Sequence, residues 1–380
     1  VTSDAPAATC ASWTREAVAG IATQPGAALP VLAPDRTPVI PDMDVWDMWQ
    51  IADAAGATVI RGGRSWWFFL AAPQFADPEA RHDVARIWLT SHGADGWRAH
   101  GPAFPEGFTP GSREWSGSAV LGADGETLTQ YFTAAGRRGQ PTTFEQRLFV
   151  TTGRFLLDGD DARLEGWSSP EEFVAADGAC YAVADEAIAP AHGIKGFRDP
   201  GYFRDPADGR EHILFTANAG WNQGPVNGVI GIATRVGGRW QLGTPLLDAS
   251  GVNSELERPH IVVQGGRYYL FWSTQARRFA AGITAPTGLY GMVAETLAGP
   301  WRPLNGTGFV AGNPPAEPAQ AYCWWVTGEG EVLSFVDYAG LGAAGAGAIA
   351  DAEGRRRQFG GVPAPFFALR FDGDRVTIAA

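Results

Sequence analysis

The chain has 380 residues, 45% of them hydrophobic, and a formal net charge of −12, enough for one large all-β domain or two ordinary ones. The acidic balance argues against nucleic acid and anionic membrane as partners, and no run approaches the roughly 20 apolar residues of a membrane span. Fifty glycines, 27 prolines and 15 tryptophans favour short strands and tight turns over helices.

In chain order, residues 1–35 are rich in Ala, Pro and Thr. They are expected to pack as an extension on the outside of a single unit spanning 36–380. The chain opens on Val1 with no basic and apolar leader, as a mature or trimmed form does. Asp44 to Ala54 and Pro170 to Ala175 read as short helices. Ser118 to Leu121 and Thr127 to Phe132 flank Ala123-Asp124-Gly125, a hairpin signal. His260 to Val263 and Tyr268 to Trp272 form another around Gln264-Gly265-Gly266, and the turns at Gly237-Gly238 and Asp372-Gly373 mark two more. Asn313 to Pro318 reads as a loop, and the Gly/Ala-rich run Ala339 to Ala350 as a flexible one. A weak repeat places Gly96-Trp97, Arg239-Trp240 and Pro300-Trp301 after turns. Successive hairpins without a helical layer leave a sandwich, a barrel or a propeller. A propeller suits this length best, because radial blades need no single oversized core.

Cys10, Cys180 and Cys323 leave open one disulfide with a free thiol, or no disulfide. No dinucleotide fingerprint, P-loop, HExxH or GxSxG is present, and the six histidines are scattered. No cofactor and no metal are expected.

Paired acids beside tryptophans remain, and these suit carbohydrate chemistry. In Asp44-Val45-Trp46-Asp47-Met48-Trp49 a carboxylate lies between indoles, which can stack on a sugar face while the acid reaches an anomeric carbon. A core strand with Asp47 in a turn is the structural alternative. Glu114-Trp115-Ser116-Gly117-Ser118 offers a pocket wall and a hydroxyl donor, or a bulged strand start. Phe197-Arg198-Asp199-Pro200 recurs as Phe203-Arg204-Asp205-Pro206. The second copy precedes Ala207-Asp208-Gly209 and reads as a solvated hairpin end, so the first is the candidate. In Glu255-Leu256-Glu257-Arg258-Pro259-His260, alternation on a strand points Glu255 and Glu257 the same way. Neighbouring carboxylates raise one pKa toward the range a general acid needs, with Arg258 expected to hold the pair; two acids on a wet strand face are the alternative.

In this order the four motifs resemble glycoside hydrolase family 68, the levansucrases, inulosucrases and bacterial β-fructofuranosidases. Leu289-Tyr290-Gly291 and Gly299-Pro300-Trp301-Arg302-Pro303-Leu304-Asn305 extend the likeness, which spans roughly residues 40–340. The resemblance implies an all-β, single-domain five-bladed β-propeller with a central acidic pocket. It implies a retaining enzyme that cleaves sucrose through a covalent fructosyl-enzyme, passing fructose to water or to sugar acceptors. Asp47 would be the nucleophile, Asp199 the transition-state stabiliser and Glu257 the acid/base. Trp46, Trp115 and Ser116 match the fructosyl subsite; Arg198, Glu255, Arg258 and Tyr322 match the glucosyl side. Gln275 stands where polymer-forming members usually carry Arg or His, which favours hydrolysis and short transfer over levan. Cys323 stands where serine is common. Gly193 and Ser254 replace positions that bind calcium in some members. A monomer, secreted or periplasmic in a bacterium, is the expected setting.

Overall fold

Alternating β-branched and aromatic residues, punctuated by glycine turns, build five antiparallel meanders one after another. The structure, a computed structural model, describes residues 10–21, 27–33, 35–159, 161–186 and 193–379. Blade I runs through Met43–Ala52, Arg64–Pro73, Arg86–Gly93 and Gly96–Pro102; blade II through Arg113–Leu121, Thr127–Ala135, Gln146–Asp158 and Asp161–Glu165. Blade III uses Phe197–Arg204, Glu211–Asn218, Gly228–Val236 and Arg239–Leu242. Blade IV is built on Glu257–Gln264, Arg267–Thr274 and Gly288–Ala294, and blade V on Ala321–Val326, Glu331–Tyr338 and Phe367–Asp372.

The first strand of each meander touches the first strands of its neighbours, and that of blade V returns to that of blade I. The result is a closed five-bladed propeller with its innermost strands around one axis. Blades I and II approach closely enough for Ile51 and Ala52 to pair in parallel with Ala119 and Val120. Fully buried Trp49, Trp272 and Trp324 pack around this ring. Burying an indole of about 200 Å² contributes about 5 kcal/mol.

The hairpins read from sequence form as expected. At Asp124-Gly125, for example, the Asp124 carboxylate accepts from Glu126 N, Thr127 N and the Thr127 hydroxyl, while Gly125 takes φ +72°, which costs glycine little. Three expectations are corrected. Asp44 to Ala54 lies mostly in the inner strand Met43–Ala52, and Pro170 to Ala175 contains the strand Glu171–Val174, paired with blade II. In the first case an irregularity at Asp47 breaks the period-2 pattern. In the second, tertiary pairing outweighs local preference. Asp205 is not solvated: it is buried and accepts from the Tyr268 hydroxyl at 2.5 Å. The run 339–350 includes the 3₁₀ segment Gly342–Ala348. All three cysteines are free.

Side chains close the ring between the last and first blades. Arg356 forks onto the buried Asp44 carboxylate at 2.6 and 3.0 Å, and the Trp325 indole donates to Gln50. At the amino end, Ala11 and Ser12 pair in parallel with Leu247 and Asp248 of blade III. Trp13 then inserts against Trp272, Phe279 and Tyr290 of blade IV and donates to Thr307 O. Further on, Leu29 N donates to Gly312 O at 2.8 Å and Gly312 N to Ala27 O at 2.9 Å, a parallel bridge centred on Ala28.

Candidate active site

Every innermost strand breaks register within its first five residues. The shifts fall between Trp46 and Met48, Trp115 and Gly117, Arg198 and Gly201, Glu257 and His260, and Tyr322 and Trp325. A bulge turns a side chain off the alternating faces and re-aims it. Asp47 (φ 45°), Asp199 (φ 61°), Arg258 (φ 54°) and Cys323 (φ 62°) take left-handed backbone there, at about 1–3 kcal/mol each. Pro200 and Pro259 follow two of them, where the broken ladder needs no N–H. Gly117 is required at its bulge, because a Cβ would lie 1.9 Å from Tyr131 O.

Around this level opens a cavity of about 810 Å³, lined by Trp46, Asp47, Trp115, Ser116, Arg198, Asp199, Glu255, Glu257, Gln275 and Tyr322. Thus all the expected site residues converge except Arg258. Arg258 lies beneath the floor, fully buried, with its guanidinium over Trp49 and Trp325 and donating to Met48 O at 2.8 Å. It does not hold the Glu255/Glu257 pair, because its bulge turns it away. Its charge instead supports Asp47.

Each carboxyl has a distinct environment. Burial pushes Asp47 up to about 6, against the pull of Arg258, with the charges of Glu257 and Asp199 adding to the rise. A hydrogen bond from the Cys323 thiol partly offsets this. Asp199 is fixed on both oxygens, by the Ser116 hydroxyl at 2.6 Å and the Thr216 hydroxyl at 2.8 Å, while Thr133 takes its backbone N–H at 2.9 Å. Glu257 receives Arg198 Nη2 at 2.9 Å on one oxygen and the Tyr322 hydroxyl on the other. Burial opposes its charge, but Arg198 and Tyr322 outweigh burial and hold its pKa below the usual value.

The neighbouring acid carries the upward shift expected of such a pair. Glu255, buried beside Glu257, is pushed up although Arg198 (3.0 Å) and Arg278 (2.9 Å) both pair with it. Arg198 thus ties Glu255, Glu257 and Gln146 together. Glu114 of the second motif is structural: it accepts from Arg86, Thr109 and Ile87 N, tying blade II to blade I. The Arg278 guanidinium fills the space beside Gly193, 2.1 Å from where a Cβ would stand, and its carbonyl accepts from Ser254 N.

Several wall residues carried no motif. On the 3₁₀ turn Pro78–Asp83, Glu79 accepts from Arg81 and the Tyr338 hydroxyl, and Arg81 lies 5.4 Å from the Trp46 ring centroid. Burial and then Arg81 push His82 down to about 4, so it is neutral near pH 7. Burial pushes Asp337 up to about 7 against Arg81. Arg277, Arg355 and the segment around Ala344–Ala346 complete the rim, and Arg277 donates to Gln275 at 2.6 Å. The density of charge in Glu79-Ala80-Arg81-His82-Asp83 was the one available signal.

The geometry brings three carboxyls from three blades into one cavity, each with different hydrogen-bond and ion-pair partners. The chain matches the Levansucrase/Invertase family over residues 2–228 and 225–379. A levansucrase of Pseudomonas savastanoi pv. glycinea is 30% identical over 407 residues, covering 96% of this chain and 92% of that protein. A levansucrase of Zymomonas mobilis subsp. mobilis is 31% identical over 394 residues, covering 96% and 89%. The solved structure of an inulosucrase from Halalkalicoccus jeotgali, bound to kestose, superposes with a TM-score of 0.88 at 38% identity and covers 97% of this chain and 95% of that one.

Proposed function

The chain belongs to the levansucrase/invertase family, glycoside hydrolase family 68, and from that premise we propose that its bulged pocket cleaves sucrose and transfers the fructosyl unit with retention. The supporting observation is that three carboxyls from blades I, III and IV meet in one cavity in three different electrostatic settings.

Asp47 is the nucleophile. Burial, which raises its pKa, leaves the ionised carboxylate poorly solvated and more basic, ready to form an ester with fructosyl C2. As that bond forms, Glu257 gives its proton to the glycosidic oxygen and glucose departs. Sucrose entering the pocket expels water, which raises a buried carboxyl's pKa and moves Glu257 toward its acid form. In the second half, Glu257 takes a proton from water or a sugar hydroxyl, whose oxygen attacks C2 and frees Asp47. Asp199 needs no proton. Held by Ser116 and Thr216, it accepts from adjacent fructosyl hydroxyls and stabilises the positive charge that grows at the ring. Trp46 and Trp115 wall the fructosyl side. Arg198, Glu255 and Tyr322 face the glucosyl side, where the Arg198 fork can move from Glu257 to substrate hydroxyls.

The acceptor reading rests on Gln275, a neutral amide at the rim, and favours hydrolysis with short transfer. The alternative is β-2,6 fructan synthesis, for which neighbouring Arg277 offers a cation to grip a growing chain. The enzyme acts as a secreted or periplasmic monomer on these sugars; no helix among the described residues is long and apolar enough to cross a membrane. Incubation with sucrose alone and with lactose tests the whole reading. Equal glucose and fructose mean hydrolysis, excess glucose means transfer, and high-molecular-weight fructan supports the alternative. Release of neither sugar overturns the assignment.

A further inference from the structure

The inner strand of blade III carries the active-site bulge near its start and ends at Arg204, just before Asp205, which lies six residues past Asp199. At about 3.3 Å per residue that is roughly 20 Å away, at the other face of the propeller. There the turn to Glu211–Asn218 brings together one carboxylate oxygen each from Asp205 and Asp208 and a ring nitrogen of His212, all within 4.8 Å of one another.

Two acids in a turn are ordinary; the histidine is what makes this turn unusual. Its ring is 5% exposed. Nδ1 meets the Thr234 hydroxyl at 2.9 Å, which leaves Nε2 for the cluster, and Nε2 is buried with no hydrogen-bond partner. An unanswered buried polar atom costs about 1–3 kcal/mol, and here the ring that carries it lies beside two carboxylates. With the Nδ1 proton on Thr234, the Nε2 lone pair is free to coordinate.

The surrounding bonds match what metal ligands need. An outer partner fixes each buried donor: Thr234 for His212, and the Tyr268 hydroxyl of blade IV for Asp205. Asp208 is exposed and bound only locally, accepting from Arg210 N at 2.9 Å and pairing with exposed Arg210 Nε at 3.3 Å, so it is free to swing inward by the ~1 Å that shared coordination requires. One imidazole with two carboxylates suits Zn²⁺ or Co²⁺, whereas Ca²⁺ and Mg²⁺ prefer oxygen-only sets.

We propose that Asp205, Asp208 and His212 form a binding site for a divalent transition-metal cation, which pins the blade III turn to blade IV through Tyr268. The site is structural, since it lies at the far end of the strand from Asp199.

Full-length protein stripped with EDTA and titrated with CoCl₂ or ZnCl₂ by calorimetry tests this. One equivalent should bind with a Kd on the order of 10 µM or tighter, Co²⁺ should show ligand-field absorption, and Tm should rise by about 2–4 °C at saturation. Asp208→Asn, an exposed change that spares the fold, should weaken binding tenfold or more, and His212→Gln should do the same. Sucrose cleavage should be equal in stripped and loaded protein. Absence of binding at about 100 µM metal, undiminished binding in both variants, or loss of cleavage on stripping overturns the proposal.

Discussion

Two cavities of nearly equal size, about 810 Å³ and about 790 Å³, open at opposite ends of the propeller axis and are lined by opposite ends of the same five inner strands. At the first, every strand bulges, four non-glycine residues adopt left-handed backbone, and carboxyls are buried against arginines. At the second, the strands pair regularly into glycine turns, and Ala and Val are the commonest wall residues, with Asp53, Arg204, Asp205 and Glu329 the charged ones. Volume therefore says little about where chemistry happens. Strained backbone and tuned buried charge, both costly to folding, distinguish the working end.

The largest test of that contrast is Asp47→Asn. Loss of the proposed nucleophile should lower kcat on sucrose by about 10⁴-fold or more, with the circular dichroism spectrum unchanged. The same change should relieve the fold. A carboxyl whose pKa rises from 3.8 to about 6 on folding supports the native state below pH 4 and forfeits that support as pH climbs through 6. The Tm of Asp47→Asn should therefore match wild type near pH 4 and equal or exceed it at pH 7. A lower Tm at pH 7 would break the link between strain and function.

Next is Arg356→Ala, at neither end but at the ring's seam. It strands the fully buried Asp44 carboxylate and should cost about 3–5 kcal/mol in urea unfolding, leaving KM for sucrose little changed on protein that remains folded. Smaller still is Tyr322→Phe. Removing the hydroxyl that holds Glu257 below its usual pKa raises that pKa. More of the acid is then protonated at a given alkaline pH, so the fall in kcat/KM above neutrality should begin later, while kcat at the optimum drops by about 10–100-fold. Smallest is Gly265→Ala, in the blade IV turn at the quiet end. Its φ of 58° with open space around the added methyl should cost about 1 kcal/mol and leave sucrose cleavage untouched. A kinetic defect there would mean the two ends are coupled.

The sequence was most readable where the chain obeys simple periods. Hairpins around Asp124-Gly125 and Gly265-Gly266 follow from alternation and turn chemistry. The site was hard to read for the opposite reason. Its residues sit where alternation fails, so the run around Asp47 reads as helix, and Arg258, which the resemblance places on the glucosyl side, lies under the pocket instead. No single acid was decisive; the order of four short motifs was. Glu79, Arg81 and His82 come from a connection within blade I, and Asp337 from the pocket end of a second strand. Only the closed ring brings them beside Asp47.

Trp13 has a consequence for how the protein is made. The carbonyl that receives its indole belongs to Thr307, 294 residues downstream. At 5–20 residues per second the ribosome takes roughly 15–60 s to span that gap. For most of that time the indole has no socket, because its partners Trp272, Phe279 and Tyr290 in blade IV have yet to be made. Made before all five blades, the segment around Trp13 docks only late, so a growing chain cannot lock blades III and IV together through it until most of the ring has been translated.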